Sequence, residues 1–240
     1  VNHDNLGFAE GNNIGIRFAL KHNADFIFIL NNDTLLAKNT ISCLVEFALK
    51  EKRGGIFGPK IYFSPHAETH KKRYKNHELG SVIWYAGGEL DWKNVYASHK
   101  GVDEVDKGQY EESTKTAFVS GCAMLVRREV FEKTGLFDKK LYLYYEDVDL
   151  CKRSQKSGFE LYFVQKATMW HKNAASGGGT GSDLQQYYQT RNRLLIGYRY
   201  APWKTKLAIV REALIMLMNG SKTQKEAIGD FFRKNYGKRK

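Results

Sequence analysis

Asp25-Phe26-Ile27-Phe28-Ile29-Leu30 is a short, continuously apolar run that stops abruptly at Asn31-Asn32-Asp33-Thr34. It is too short for a helix and reads as a strand buried on both faces of a sheet. On its N-terminal side, Gly11 to Asn23 sets Ile14, Phe18 and Leu20 at near-helical spacing. On its C-terminal side, Asn39 or Thr40 can cap a helix carrying Ile41, Leu44, Val45 and Ala48, which Gly54-Gly55 ends. A further strand is expected from Ile56 to Phe63. Helix, strand, helix, strand predicts an α/β sheet with polar loops at the strand ends.

Residues 64–112 depart from this rhythm, with His70-Lys71-Lys72-Arg73 followed by short aromatic runs such as Val82-Ile83-Trp84-Tyr85. They read as an excursion of short strands or hairpins laid over the sheet. The apolar pattern returns at Ala117-Phe118-Val119 and Ala123-Met124-Leu125-Val126. A helix is expected from Glu146 to Ser157, then one strand at Glu160 to Val164 and another ending in Met169-Trp170-His171. Gly177-Gly178-Gly179-Thr180-Gly181 predicts a loop, and Ser182 or Asp183 a helix cap. Beyond residue 200, Trp203, Leu207, Val210, Leu214, Leu217 and Met218 share one helical face, with Lys204, Lys206 and Arg211 flanking it. The expected division is residues 1–199 as one domain and 200–240 as basic amphipathic helices.

The chain has 240 residues and a net charge of +12, with 42% apolar and 13% aromatic residues, the profile of a folded globular protein. Residues 1–120 hold 15 basic and 15 acidic side chains, whereas 121–240 hold 23 and 11. Residues 191–240 alone carry 13 basic and 3 acidic groups, which points to an anionic partner: phosphate, nucleic acid or a membrane surface. Cys43, Cys122 and Cys151, without CxxC spacing, exclude a disulfide scaffold and a thiolate zinc finger. They fit buried thiols of a reducing compartment. No apolar run is long enough to span a bilayer, and a cytoplasmic location, peripheral on the membrane face, is expected.

Four clusters carry candidate chemistry. Asn31-Asn32-Asp33 follows a buried strand, where a carboxylate can hold a hard cation that grips phosphate oxygens, although the same residues favour simple turns. Glu146, Asp147 and Asp149 put three carboxylates in four positions, which suits a general base; helix capping is the alternative. His171 ends a predicted strand, and imidazole with carboxylate suits an ion such as manganese, although a lone His is more often an ordinary polar residue. Arg191, after Tyr187-Tyr188-Gln189-Thr190, suits bidentate phosphate contact or simple exposure on a helix.

Together the segments resemble the inverting glycosyltransferases of family 2, in the rhamnosyltransferase-like branch. The resemblance rests, in order, on Asn5-Leu6-Gly7-Phe8-Ala9-Glu10-Gly11-Asn12-Asn13, Leu30-Asn31-Asn32-Asp33-Thr34, Ser120-Gly121-Cys122-Ala123-Met124 and Gly135-Leu136-Phe137-Asp138. It continues through Tyr145-Glu146-Asp147-Val148-Asp149-Leu150-Cys151, Trp170-His171-Lys172 and Tyr188-Gln189-Thr190-Arg191-Asn192. It implies a GT-A (nucleotide-diphospho-sugar transferase) α/β fold with C-terminal helices, a UDP- or dTDP-linked sugar donor, a glycan or lipid-linked acceptor, and Mn2+ or Mg2+.

By the same resemblance, Asn31, Asp33 and His171 hold the metal, and Asp147 is the catalytic base with Glu146 and Asp149 in support. Gly11, Asn12, Asn32, Ser120, Gly121, Cys122 and Trp170 line the donor, and Arg191 lies near the diphosphate or acceptor. Family members begin with two further strand-helix steps, on the order of 60 residues at ~30 per βαβ unit, so the chain is expected to be N-terminally truncated. Two other classes compete: a basic nucleic-acid-binding protein, for which no helix-turn-helix or RNP-like motif is present, and a catalytically silent remnant.

Overall fold

The protein is described here by a computed structural model that covers residues 4–172 and 181–239. The elements run α1 (Gly7–Lys21), β1 (Phe26–Leu30), β2 (Thr34–Leu36), α2 (Thr40–Lys50) and β3 (Gly54–Phe63). After two 3₁₀ turns come β4 (Ile83–Tyr85), β5 (Gly88–Asp91), β6 (Tyr96–His99), β7 (Thr114–Lys115) and β8 (Ala123–Arg127). The chain continues through α3 (Arg128–Thr134), α4 (Glu146–Lys156), β9 (Glu160–His171), α5 (Asp183–Tyr200), α6 (Trp203–Asn219) and α7 (Lys222–Phe232).

The main sheet has the order β1-β8-β3-β9-β2, with β4 also paired to β3 and β7 to β9; β5 and β6 form a separate hairpin. Strand alternation sorts the apolar side chains onto two faces. Ile27, Ile29, Met124, Val126 and Leu161 join the core with Ala9 and Ile16 of α1, Val130 of α3 and Val148 of α4. Phe57, Leu125, Tyr162 and Val164 meet Leu44 and Ala48 of α2, and Phe26 and Phe28 pack against that second layer. The apolar run of β1 is thus covered on both faces. Its backbone, however, ladders only with β8, so among the described residues β1 lies at one edge of the sheet.

Two expectations change. The first helix begins at Gly7, earlier than residue 11, because Gly7 takes a left-handed φ of +75° and Ala9 donates to the Tyr142 carbonyl at 3.1 Å. The two strands expected between 160 and 171 are one, β9, paired parallel to β3 with a register slip: Pro59 faces Val164 and Lys60 faces Thr168. Residues 165–167, between the two expected strands, form a bulge within β9. Ser182 caps α5 by accepting from the Gln185 N–H. The loop expected at 177–181 lies, apart from Gly181, outside the described residues.

The excursion is anchored from beneath. Lys60, fully buried on β3, donates to Asp106 at 2.8 Å, and Tyr62 donates to the same carboxylate at 2.6 Å. A buried lysine is tolerable only when paired in this way.

The segment between α3 and α4 is held under strain. Tyr142, Tyr144 and Tyr145 have φ of 64°, 68° and 71°, a region that costs about 1–3 kcal/mol per non-glycine residue. Asn192 holds it by donating from Nδ2 to the carbonyls of Leu141, Leu143 and Tyr144 at 2.8–2.9 Å. Arg191 beside it donates to the carbonyls of Lys140, Leu141 and Gly237 and to Asn192 Oδ1. Stacking of Tyr142 on Tyr188, with ring centroids 5.0 Å apart, closes the arrangement. Replacing Asn192 by Ala removes the donor from three carbonyls, and urea denaturation is expected to show a loss of about 3 kcal/mol. The half-buried Asn12, whose amide bonds only within its own helix, is expected to change stability little when replaced by Ala.

Candidate active site

Strand direction decides which loops meet. β1 and β3 each run antiparallel to β8, and β9 runs parallel to β3, so β1, β3 and β9 finish at one rim of the sheet. β8 runs the other way and begins there, with Leu30 facing Ala123. Asn31-Asn32-Asp33, Ser120-Gly121-Cys122 and His171 therefore converge on one rim although the chain separates them widely. Open α/β sheets bind ligands at such a rim.

One half of the rim joins Asp33 to His171. The β2–β9 register sets Thr34 opposite His171, and Lys172 donates to the Asp33 carbonyl at 2.8 Å. His171 Nε2 lies 3.3 Å from Asp33 Oδ1. Asp33 Oδ1 and His171 Nδ1 are both buried with no hydrogen-bond partner of good geometry. Burial lowers the His171 pKa more than the neighbouring Asp33 raises it, so the imidazole is neutral at physiological pH with a lone pair available. Trp84 of the excursion packs edge-on against His171 with centroids 4.7 Å apart, and against His99 at 4.3 Å. His99, held neutral by burial with its pKa lowered to about 4, meets the Trp84 carbonyl through Nδ1 at 3.0 Å.

A carboxylate and a neutral imidazole with orphaned buried polar atoms fit a divalent cation. Among the described residues no group of three or more His, Cys, Asp or Glu could hold a metal. Asp33 and His171 could supply at most two protein ligands to such a cation. The Asn31 backbone is committed to the turn: its N–H donates to the Cys122 carbonyl and its C=O accepts from the Thr34 hydroxyl.

The other half centres on Asp147, in the first turn of α4. The left-handed Tyr145 precedes that helix and aims Asp147 at the Ser120–Cys122 turn. Asp147 Oδ2 accepts from the Gly121 N–H at 2.9 Å, and Oδ1 from the Val148 N–H at 2.8 Å. Burial raises its pKa above the usual aspartate range although both backbone donors pull it down. Glu146, buried with Oε2 unpartnered, is pushed well above the glutamate range by burial and then by the charge of Asp147. Both carboxyls are thus held above their ordinary ranges, Glu146 the more strongly. Burial, then the charges of Asp33 and Asp147, push the Cys122 thiol up, and the Gly121-Cys122 turn joins the two halves by donating to Asp147 and accepting from the Asn31 N–H. A Cβ on Gly121 would meet the Phe8 ring at 3.1 Å and Asp147 Cβ at 3.5 Å, which explains the glycine at this point.

Other expected site residues lie elsewhere. Asp149 is buried and accepts from Arg153 and Arg199 at 2.8 and 2.9 Å and from the Tyr200 hydroxyl at 2.7 Å. It ties α4 to α5 and is not available to support Asp147. Arg191, expected near a diphosphate, is fully buried with its guanidinium committed to carbonyls under the Tyr142–Tyr145 segment. Trp170 follows strand alternation away from the face of His171 and donates to the Gly80 carbonyl at 2.9 Å. Ser120 Oγ accepts from the Cys122 N–H and shapes the turn. Gly11 and Asn12 stand one helical turn beyond Phe8, whose ring borders Gly121, and Asn32 is exposed at the tip of its turn.

Residues that the sequence reading passed over do much of the positioning. Trp84 was legible only as part of an aromatic run. Asn13 clasps Phe137 through both amide atoms at 3.0 Å and Asn192 holds the Leu141–Tyr144 carbonyls; both stand in segments that carry the resemblance, with no role assigned to either.

The chain is similar to known glycosyltransferases. The chain is 25% identical over 187 residues to an N-acetylglucosaminyl-diphospho-decaprenol L-rhamnosyltransferase of Mycobacterium tuberculosis, covering 75% of this chain and 57% of that protein. It is 24% identical over 228 residues to the dTDP-rhamnosyl transferase RfbF of Shigella flexneri, covering 90% of this chain and 67% of the relative. The chain thus spans little more than half the length of the first of these. A structure of GalNAc-T7 with UDP, GalNAc and Mn2+ superposes with a TM-score of 0.54 at 16% identity, covering 98% of this chain and 45% of that one, which establishes a shared GT-A fold. Residues 2–197 match the family described as glycosyltransferase like family 2, and the chain belongs to that family of transferases.

Proposed function

We propose that the protein transfers a sugar from a nucleoside-diphosphate donor to an acceptor hydroxyl with inversion, in the assembly of a cell-surface glycan. The observation that carries this reading is the position of the Gly121-Cys122 turn. It donates to the Asp147 carboxylate through the Gly121 N–H on one side and accepts from the Asn31 N–H, at 2.9 Å, through the Cys122 carbonyl on the other, which would set a base and a phosphate-side cation site on one rim. The rhamnosyltransferase relatives make a deoxyhexose on a dTDP or UDP carrier the first donor to test, with a glycan or lipid-linked acceptor.

Each residue then has a defined task. Asp33 and His171 would hold a divalent cation, which when bound supplies Lewis acidity toward the departing diphosphate. Asp147 accepts the proton of the acceptor hydroxyl as that oxygen forms its bond to the anomeric carbon. The bond from that carbon to the diphosphate breaks in the same displacement, its electron pair leaves with the nucleoside diphosphate, and the anomeric configuration inverts. Burial makes Asp147 a stronger base than a solvated aspartate, and the shift of Glu146 toward its protonated form reduces the charge beside it. The backbone donors at Gly121 and Val148 keep Asp147 oriented between turnovers.

Four measurements test this reading. Asp147→Asn is expected to lower transfer by about 10²–10⁴-fold while leaving calorimetric donor binding intact; transfer within a fewfold of wild type would sink the assignment. The acid limb of the kcat/KM profile is expected above the ordinary aspartate value of 3.8, since the base form appears only above the raised pKa.

Glu146 also has a folded pKa above its unfolded value of 4.5, so its favourable contribution is present below that value and lost as pH rises through the folded pKa. Glu146→Gln is therefore expected to raise the melting temperature relative to wild type at neutral pH, with the gain shrinking toward pH 4.

Mn2+ titration is expected to quench the fluorescence of Trp84, whose ring contacts His171. His171→Ala should abolish the quench. A quench that survives both His171→Ala and Asp33→Ala would place the cation elsewhere.

A further inference from the structure

The outward face of α6 is apolar, bordered by cations and left uncovered by the described residues. The helix follows Pro202 and seats Thr205, Ile209 and Ala213 in the interior. The approach of α5 is close there, since a Cβ on Gly197 would meet Val95 at 3.1 Å and press on Ile209. On the opposite side Trp203, Leu207, Leu214 and Met218 are 67%, 63%, 53% and 76% exposed. At 100° per residue these four, with Val210 and Leu217, fall within an arc of about 100°, and the 17-residue helix is about 25 Å long. Lys204 and Arg211 border the arc on one side and Lys206 on the other.

We infer that this face of α6 lies in the interface of an anionic lipid membrane. An apolar stripe between basic borders is the pattern of a helix that rests in the headgroup region, with lysine stems extending along the apolar surface. Trp203 stands at the helix start, a position suited to an interfacial anchor, with Lys204 Nζ 5.7 Å from its ring; Lys206 lies 5.6 Å from the ring of the exposed Tyr198. None of the described helices is long and apolar enough to cross a bilayer, so the contact is one of lying on the surface.

Charge selects this occupant over a second copy of the chain. The nearby carboxylates are engaged within the fold: Glu212 pairs with Arg193 at 2.9 Å, Glu226 pairs with Arg239, and Asp230 accepts from Tyr187 at 2.6 Å. The exposed Lys222 and Lys225 add positive charge beyond the helix end, and Lys225 donates to the Met218 carbonyl at 3.0 Å. Two such faces brought together would set cations against cations in any register, whereas phosphate headgroups match them. Nucleic acid fits less well, because Arg191, Arg193, Arg199 and Arg239 of this basic region are spent inside the fold.

The inner face of α6 gives the placement a consequence. Ile209, Glu212 and Met216 line a hollow of about 210 Å³ together with Tyr145, the residue preceding the Glu146-Asp147 pair. One helix thus separates the membrane face from the turn that carries the base.

Vesicle cosedimentation tests the inference without any sugar nucleotide, so its outcome is independent of the proposed reaction. The protein is expected to pellet at low salt with vesicles of phosphatidylcholine and phosphatidylglycerol in equal amounts, not with phosphatidylcholine alone, and to be released by salt. Leu207→Glu with Met218→Glu, and separately Lys204→Glu with Lys206→Glu, are each expected to weaken binding by at least tenfold, at about fivefold per cation for the second pair. These side chains are exposed or half-buried, and unchanged thermal melting confirms that the variants fold. Recovery of wild type in the supernatant with anionic vesicles, or wild-type binding by both double variants, overturns the inference. So does a dimer in sedimentation velocity that Leu207→Glu with Met218→Glu dissociates, since the face would then bind its own copy.

Discussion

Three left-handed tyrosines in four positions cannot hold themselves, and the rest of the site depends on what holds them. Tyr142, Tyr144 and Tyr145 turn the chain so that α4 starts with Asp147 against the Gly121 N–H. The strain is of the same order as the stability of many small domains, so it persists only because donors from α5 are fixed opposite it. Asn192 and Arg191 supply those donors from consecutive positions of one helix, and both side chains are fully buried. Because Arg191 also reaches the Gly237 carbonyl, the C-terminal segment shares in holding the turn before α4.

The second requirement is the direction of one strand. β8 is the antiparallel member among β1, β3 and β9, and that reversal brings its N-terminal Ser120-Gly121-Cys122 turn to the rim where the others end. A fully parallel arrangement would put that turn at the opposite edge, away from Asp33 and His171. The rim then concentrates costs that a structural core would avoid: two adjacent buried carboxylates, an unpartnered Glu146 oxygen, and unpartnered atoms on Asp33 and His171. Groups left in that condition are poised for a proton, a cation or a substrate oxygen.

Burial separates charges that look alike in the sequence. Asp147 and Asp149 are two positions apart, yet one faces a backbone N–H at the rim and the other is neutralised by Arg153 and Arg199. The same sorting acts on the C-terminal cations. Arg193, Arg199 and Arg239 are paired with carboxylates, while Lys204 and Arg211 remain exposed beside the apolar stripe of α6.

The sequence by itself determined the alternation of helices and strands, the apolar run at β1, the capped start of α5, and the short motifs whose order carries the family resemblance; the cap expected for α2 is not made, since Asn39 precedes that helix without a side-chain capping bond. Those features depend on neighbours in the chain: spacing of apolar residues, capping side chains, and carboxylates at helix or strand ends. It did not determine that Arg191 is a buried clamp, that Asp149 is an ion-pair anchor, that Trp170 turns away from His171, or that Trp84 packs on it. Nor did periodicity distinguish an inward from an outward stripe on α6, since both have the same spacing. Those outcomes depend on which strand reverses, which register slips at Pro59, and which face of a helix finds a partner, and each is set by contacts between residues far apart in the chain.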